Sequence, residues 1–181
     1  SYYGRSDVPL RDNHNFINEE NVCISPDITH SIGEVEYLGE NTLLSLIIPV
    51  GIYNRTAYSI VTETNAENDF AFYTEKIVKP ILAKRLFLVF GGYKYLENLK
   101  SLGFKTFDCV IDESYDNIQD QELRYAEVCN QIKNLSLLPQ QDVLDKIRPI
   151  VEHNYRIMIE TDWLAQTHSI IKNIVRGDTK Q

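Results

Sequence analysis

Basic residues are scarce in this chain. Across 181 residues, 18 Lys and Arg stand against 26 Asp and Glu, a formal net charge of −8. A surface of that sign argues against a nucleic-acid backbone or an anionic membrane as the main partner, although a single cleft can still be locally basic. Cysteine is sparse as well. Cys23, Cys109 and Cys129 are widely spaced and form no CxxC pair, which speaks against a disulfide scaffold and for buried thiols in a reducing cytoplasm. Long apolar runs are missing: none reaches the length of a bilayer span, and the N-terminus lacks a basic-then-apolar signal pattern. Asn54-Arg55-Thr56 and Asn134-Leu135-Ser136 match the glycosylation sequon but mean little without a secretory route. There is no G-x-S-x-G elbow, no Walker loop, no G-x-G-x-x-G turn and no His-x₃-His or Cys/His cluster. The histidines are scattered. His153 and His168 read as packing or surface residues, and His14 or His30 could serve as a general base, though no spacing singles either out.

What is present fits one domain with a well-buried core, at 43% apolar and 24% charged residues. The chain starts at Ser1 rather than Met, as a trimmed chain or a piece of a longer one would. Residues 1–40 are polar and irregular, broken by Gly4, Pro9, Pro26, Gly33 and Gly39, with short strands expected at 22–24 and 34–38. The pattern then changes. Residues 43–48 form a compact apolar run, readable as a buried strand or a short helix, closed by Pro49 and Gly51. A β-branched strand follows at 58–64. Thr74 is placed to N-cap a helix running to about 84, with Pro80 bending its middle. Residues 86–90 read as the cleanest buried strand, Gly91-Gly92 as a turn, 93–102 as a helix stopped by Gly103, and 107–111 as another strand. Such a βαβαβ run forms a parallel sheet. From about 120 the chain reads as helix, with apolar stripes at Tyr125, Val128, Cys129, Ile132 and Leu135, at Val143, Ile147, Ile150, Asn154 and Ile157, and at Trp163, Thr167, Ile170, Ile171 and Ile174. The expected fold is therefore α/β, a Rossmann-like parallel sheet over residues 41–181 with a helical C-terminal tail.

One region points at a chemistry. The strand Ser59-Ile60-Val61-Thr62-Glu63-Thr64-Asn65 ends in a carboxylate, Phe72-Tyr73-Thr74-Glu75-Lys76-Ile77 opens a helix, and the next apolar strand ends in Gly91-Gly92. At the carboxyl edge of a parallel sheet these parts suit a phosphorylated ligand. Lys76 supplies a mobile positive charge, and the free amides of the helix start add a partial one. Glu63 and Glu75 can accept hydrogen bonds from sugar hydroxyls.

The same ordered blocks resemble the donor-binding half of the α1,3-fucosyltransferase group. That group has a Phe-Glu-Asn-Ser strand end, an Asp-Tyr-(Ile/Val)-Thr-Glu-Lys helix start and a strand ending near Gly. The following Leu99-Lys100-Ser101-Leu102-Gly103-Phe104-Lys105-Thr106-Phe107 and Asp112-Glu113-Ser114-Tyr115-Asp116 are closer to glycosyltransferase-like proteins of phage and large-virus genomes. The resemblance spans residues 59–116, under half of the chain. It implies one half of a two-domain glycosyltransferase of the GT-B type, binding a nucleotide-diphosphate sugar and needing no cofactor. By this resemblance Lys76 contacts the diphosphate, Glu75 the ribose or base edge, Asn65 and Thr74 the same ligand, and Glu63 lies near the donor sugar as a catalytic carboxylate. Ala71-Phe72 replaces the family's Asp-Tyr pair and Thr62 its Phe. Those departures leave the donor sugar open.

Gly91 and Gly92 would let backbone approach a ligand, or simply make the turn; Lys94 would be a second phosphate contact or a solvated lysine. Asp112, Glu113 and Asp116 lack the Gly-spaced loop of a calcium site and read as a loop cluster capping later helices, with no metal expected. Only about 55 residues precede the sheet, too few for a second α/β domain. The acceptor and general base would come from elsewhere: a missing domain, another subunit or a second copy. The competing reading is a non-catalytic nucleotide-binding or assembly module on the same fold.

Overall fold

Five consecutive apolar residues need cover on both faces, the situation of a strand inside an α/β layer. Leu86–Phe90 is such a strand, and the first four of its side chains are buried. The computed structural model describes residues 34–37, 40–43, 45, 47, 48, 53–67 and 72–176. In chain order these hold β1 (Glu34–Tyr37), β2 (Glu40–Leu43), β3 (Tyr58–Thr62), α1 (Glu75–Leu82), β4 (Leu86–Phe90), α2 (Tyr95–Ser101), a 3-10 turn (Glu113–Asn117), α3 (Gln121–Leu137), α4 (Gln140–Glu160) and α5 (Trp163–Arg176). The protein is mixed α/β.

β1 and β2 pair antiparallel, Glu34 opposite Leu43 and Tyr37 opposite Glu40, in a sheet of their own. β3 and β4 pair parallel, Tyr58 opposite Leu86 and Thr62 opposite Phe90. Glu63 N–H donates to Phe90 O at 2.9 Å and carries the ladder one residue further. The crossover between them contains α1, which packs on both strands and on α4, while α3 packs on β4. Thr74 caps α1 as expected: its backbone is extended and its hydroxyl accepts from Lys76 N–H.

Two arginines tie this small sheet at opposite ends. Arg85, 4% exposed, precedes β4. Its Nε donates to Tyr53 O and Thr56 O at 2.9 Å, and its Nη1 to Ala83 O at 2.8 Å. Burial lowers its pKa to about 10. Arg124, 2% exposed, reaches in from α3. It donates to Gly91 O (3.1 Å), Ile118 O (2.6 Å), Gln119 O (3.0 Å) and Ala66 O (2.5 Å). The planar fork of five donors suits an arginine to gather carbonyls from several loops.

The structure corrects the sequence reading in three places. Residues 107–111 are a turn, not a strand: Val110 and Ile111 N–H both donate to Phe107 O at 2.9 Å. The Phe107 amide itself donates to Glu113 Oε1 at 2.7 Å, so a side chain has taken a ladder donor. Phe107 is buried nonetheless, its ring edge-on to Phe87 at 4.8 Å. Among the described residues the expected βαβαβ run is thus βαβ followed by α2 and a loop that closes on itself. Secondly, the inner face of α3 is Arg124, Val128, Gln131 and Leu135, and Tyr125 is exposed. The face turns by one position because Arg124 is drawn inward by its four carbonyls. Thirdly, the cysteines are not all buried. Cys109 is exposed and Cys129 half-buried, both free.

The α4 stripe holds in part: Val143, Ile147 and Asn154 are buried together with Leu144 and Val151, while Ile150 and Ile157 are half-buried against the core. Asn154 brackets Lys105, accepting from its N–H and donating to its carbonyl, each at 2.8 Å. Trp163 at the head of α5 stacks on Phe104 at 5.7 Å. In the 43–48 run, Leu43 closes β2 and Ile47 is buried outside any strand or helix. Leu44 and Leu46, the expected strand at 22–24, His14, His30 and Cys23 lie outside the described residues.

Candidate functional site

β3 and β4 both run toward Glu63 and Gly91, so the loops after them meet at one edge. In open α/β sheets the carboxyl edge is where ligands sit. Glu63 is 6% exposed there. Its carboxylate accepts from Thr74 Oγ1 at 2.6 Å, from Thr74 N–H at 3.4 Å and from Tyr95 Oη at 2.8 Å. One side chain therefore joins the end of β3, the cap of α1 and the first turn of α2. Burial first, then the Glu63 charge, pushes the Tyr95 phenol far above its ordinary pKa, so it remains a donor.

The glycine beside it is shaped by the same network. A Cβ on Gly91 would lie 2.7 Å from Tyr95 Cδ2, so its missing side chain makes room for the Tyr95 ring. Tyr73 meets that ring edge-on at 4.9 Å. Gly92 is buried, and its carbonyl accepts from Tyr95 N–H at 3.3 Å.

Lys76 lies at the solvent side of the edge. Its Nζ donates to Thr64 Oγ1 at 2.6 Å, which brings the Val-Thr-Glu-Thr-Asn block and the Tyr-Thr-Glu-Lys block together in space. Glu75 is exposed in the first turn of α1, and Asn65 is half-buried. Lys94 takes a left-handed backbone (φ 59°) before α2 and pairs with Glu97 at 2.9 Å.

The amides at the start of α2 are occupied. Asp116, 6% exposed, accepts from Leu96 N–H at 2.8 Å and Glu97 N–H at 2.9 Å. Burial outweighs those amides and raises its pKa above the ordinary aspartate value. Its neighbours are also employed. Asp112 accepts from Ser114 N–H at 2.9 Å, and Glu113 from Thr106 Oγ1 at 2.6 Å and Lys100 Nζ at 3.1 Å. The acidic loop therefore caps itself and the helix before it, where the sequence suggested later helices; Asp120 alone caps α3. No group of three or more His, Cys, Asp or Glu among the described residues could hold a metal ion.

The chain matches no family model, no curated protein and no solved structure. The site must be read on its own geometry.

That geometry brings buried Glu63 and Gly91 and half-buried Thr74 into one frame, and sets Lys76 and Glu75 on its outer side with Thr64 between the blocks. Sequence reading missed Tyr95, Asp116 and Arg124 as builders of the edge. Hydropathy hides Arg124: the apolar stripe read at 125, 128, 129, 132 and 135 leaves it and Gln131 outside, whereas both are buried with Val128 and Leu135. Tyr95 carries no signal of its role, and Asp116 reads in the sequence as a capping carboxylate, but for later helices rather than α2. Of the remaining histidines, His153 shares a 2.8 Å bond with Gly103 O and His168 is exposed. No helix among the described residues is long and apolar enough to cross a membrane.

Proposed function

We propose that this chain is glycosyltransferase-like and that its β3–α1–β4 edge binds the nucleotide diphosphate of a sugar donor. The βαβ unit would be part of a Rossmann-like, GT-B-type donor half, as the motif series implies. The observation that carries the reading is the 2.6 Å contact of Lys76 Nζ with Thr64 Oγ1. It aligns two separate blocks of the resemblance at the carboxyl edge of a parallel pair, with a cation at the mouth. In transfer, the bond from the anomeric carbon to the diphosphate oxygen breaks, the electron pair leaves with the diphosphate, and the acceptor forms the new bond. Lys76 would offset charge growing on the leaving group, the electrostatic role that usually dominates such catalysis. Glu75 would accept from ribose hydroxyls. The acceptor and general base would come from a further domain, subunit or copy.

A second reading, a non-catalytic module on the same fold, is favoured by Glu63. A carboxylate already accepting from two hydroxyls while 6% exposed is built as a frame. Isothermal titration of GDP, UDP and ADP and their sugar conjugates separates the two. Micromolar binding of one diphosphate, lost in Lys76→Ala, is expected. Flat titrations for every ligand would sink the donor-site reading and leave the module.

A further inference from the structure

A groove of about 620 Å³ runs between the turn at 108–113 and the α3–α4 junction. Its volume lies within the range of about 300–1,000 Å³ that holds specific ligands. None of its lining residues belongs to the β3–α1–β4 edge. Val110, Leu138 and Pro139 give it an apolar floor over the buried Ile111 and Val143. The apolar surface continues at one end, where Leu138 is 43% and Leu137 81% exposed. Its rim is acidic: Asp108, Asp112 and Asp142 stand against Lys146 alone, since the Glu113 carboxylate is spent on Thr106, Phe107 and Lys100. Asp108 and Asp142 are exposed and enter none of the ion pairs among the described residues, which are Lys84–Glu152, Lys94–Glu97 and Lys100–Glu113.

We propose that this groove docks a basic peptide segment of a partner protein, seated by an aliphatic or aromatic side chain on the floor and by Lys or Arg against Asp108 and Asp142. Charge complementarity selects the occupant. A second copy carries net −8 and meets a rim of its own sign. A nucleic-acid backbone is repelled for the same reason. A polyamine satisfies the rim but leaves the floor wet, whereas an amphipathic peptide covers both. Apolar anchor and charged rim are the ordinary division of labour at such interfaces, the first giving affinity and the second orientation.

The groove carries its own reporter, because the exposed Cys109 lies in its lining. With Cys23 and Cys129 changed to Ser in the full chain, Cys109 reacts with cationic and anionic methanethiosulfonates at rates that read the local potential. The cationic reagent is expected to react faster, and a Leu/Lys amphipathic peptide to slow it. Fluorescence anisotropy of the same peptide, fluorescein-labelled, is expected to saturate in the micromolar range at low salt. Affinity should fall at least about tenfold in Asp108→Asn/Asp142→Asn, and similarly as salt screens the rim. Those two positions are exposed, so the variant keeps the fold, which circular dichroism checks. Leu138→Asp should abolish binding by removing the floor.

Several results would overturn the proposal. They are no binding of the Leu/Lys peptide, equal binding of a Leu/Glu analogue, or full affinity in the Asn variant. Protection of Cys109 by spermine as strong as by the peptide would instead assign a small-cation site. Sedimentation showing a dimer that Leu138→Asp dissociates would assign the face to a second copy.

Discussion

Glu63→Gln is expected to lower stability more than it lowers nucleotide binding. The carboxylate accepts two short bonds, from Thr74 Oγ1 at 2.6 Å and Tyr95 Oη at 2.8 Å, and one long one from Thr74 N–H at 3.4 Å. Bonds to a charged acceptor contribute about 1.5–3 kcal/mol each and neutral ones about 0.5–1.5. Glutamine keeps one carbonyl oxygen for one hydroxyl and turns an amide nitrogen toward the other. One bond is thus weakened and one is lost or reversed, about 3 kcal/mol before offsets. Removing a buried charge regains some desolvation cost, which brings the expected loss to about 2 kcal/mol. The backbone bond from Glu63 N–H to Phe90 O is untouched by the change.

Urea unfolding followed by circular dichroism and by the fluorescence of Trp163, the chain's one tryptophan, measures this. The midpoint should shift at an unchanged slope, and Tm should fall by several degrees, about 2–4 °C per kcal/mol at this size. A cycle with Tyr95→Phe locates the effect. If the hydroxyl and the carboxylate act on each other, the double variant loses about 1–2 kcal/mol less than the sum of the singles. Unchanged stability together with abolished nucleotide-sugar turnover would refute the reasoning and return Glu63 to the reacting centre.

Gly91→Ala is expected to cost about 1–3 kcal/mol, because the new Cβ would lie 2.7 Å from Tyr95 Cδ2 in a ring held by Glu63. Denaturant midpoints check it, and a full loss that persists in Gly91→Ala/Tyr95→Leu would rule out the clash as its cause. Alkali should unfold the protein cooperatively. Burial raises Tyr53 to about 12 and lifts Tyr95 and Tyr115 higher still, against an ordinary value of 10.0. Stability is therefore whole below pH 10 and is lost above it as the unfolded chain releases protons that the folded one keeps, about 1.4 kcal/mol per pH unit for each such tyrosine. Phenolate absorbance and circular dichroism should break together; smooth titration of all 11 tyrosines near pH 10 with unchanged ellipticity would contradict it.

Local rules made much of the fold legible. The strand at Leu86–Phe90 reads from its unbroken apolar run, and the Thr74 cap reads from a hydroxyl residue followed by Glu-Lys and an apolar face. Residues 107–111 read wrongly because a β-like apolar pattern says only that side chains are buried. Phe107 and Ile111 are buried, but Glu113 captures the Phe107 amide that a ladder would need. That capture depends on a loop closing back on itself, which periodicity does not encode. The α3 face slipped for a related reason. A hydropathy pattern scores Arg124 as outward, while its bonds to Ala66, Gly91, Ile118 and Gln119 pull it in.

The same distinction separates what the candidate site is made of from what it can offer. Residues chosen as ligand contacts because they end strands and start helices are also the residues best placed to hold those ends together. Glu63, Thr74 and Gly91 do the holding, as a carboxylate, its donor and a gap for a ring. The start of α2, the other natural anion site, is filled by Asp116. A diphosphate approaching this edge would therefore meet Lys76, Thr64 and Glu75. Lys76→Ala should then cost little stability, since its one short bond is to an exposed threonine, while removing the main positive charge from the mouth. A scaffold residue and a ligand residue that touch the same cap thus make opposite predictions. Glu63→Gln moves the denaturation midpoint, Lys76→Ala moves the titration, and a protein in which both moved only the first would be a framework without a donor site.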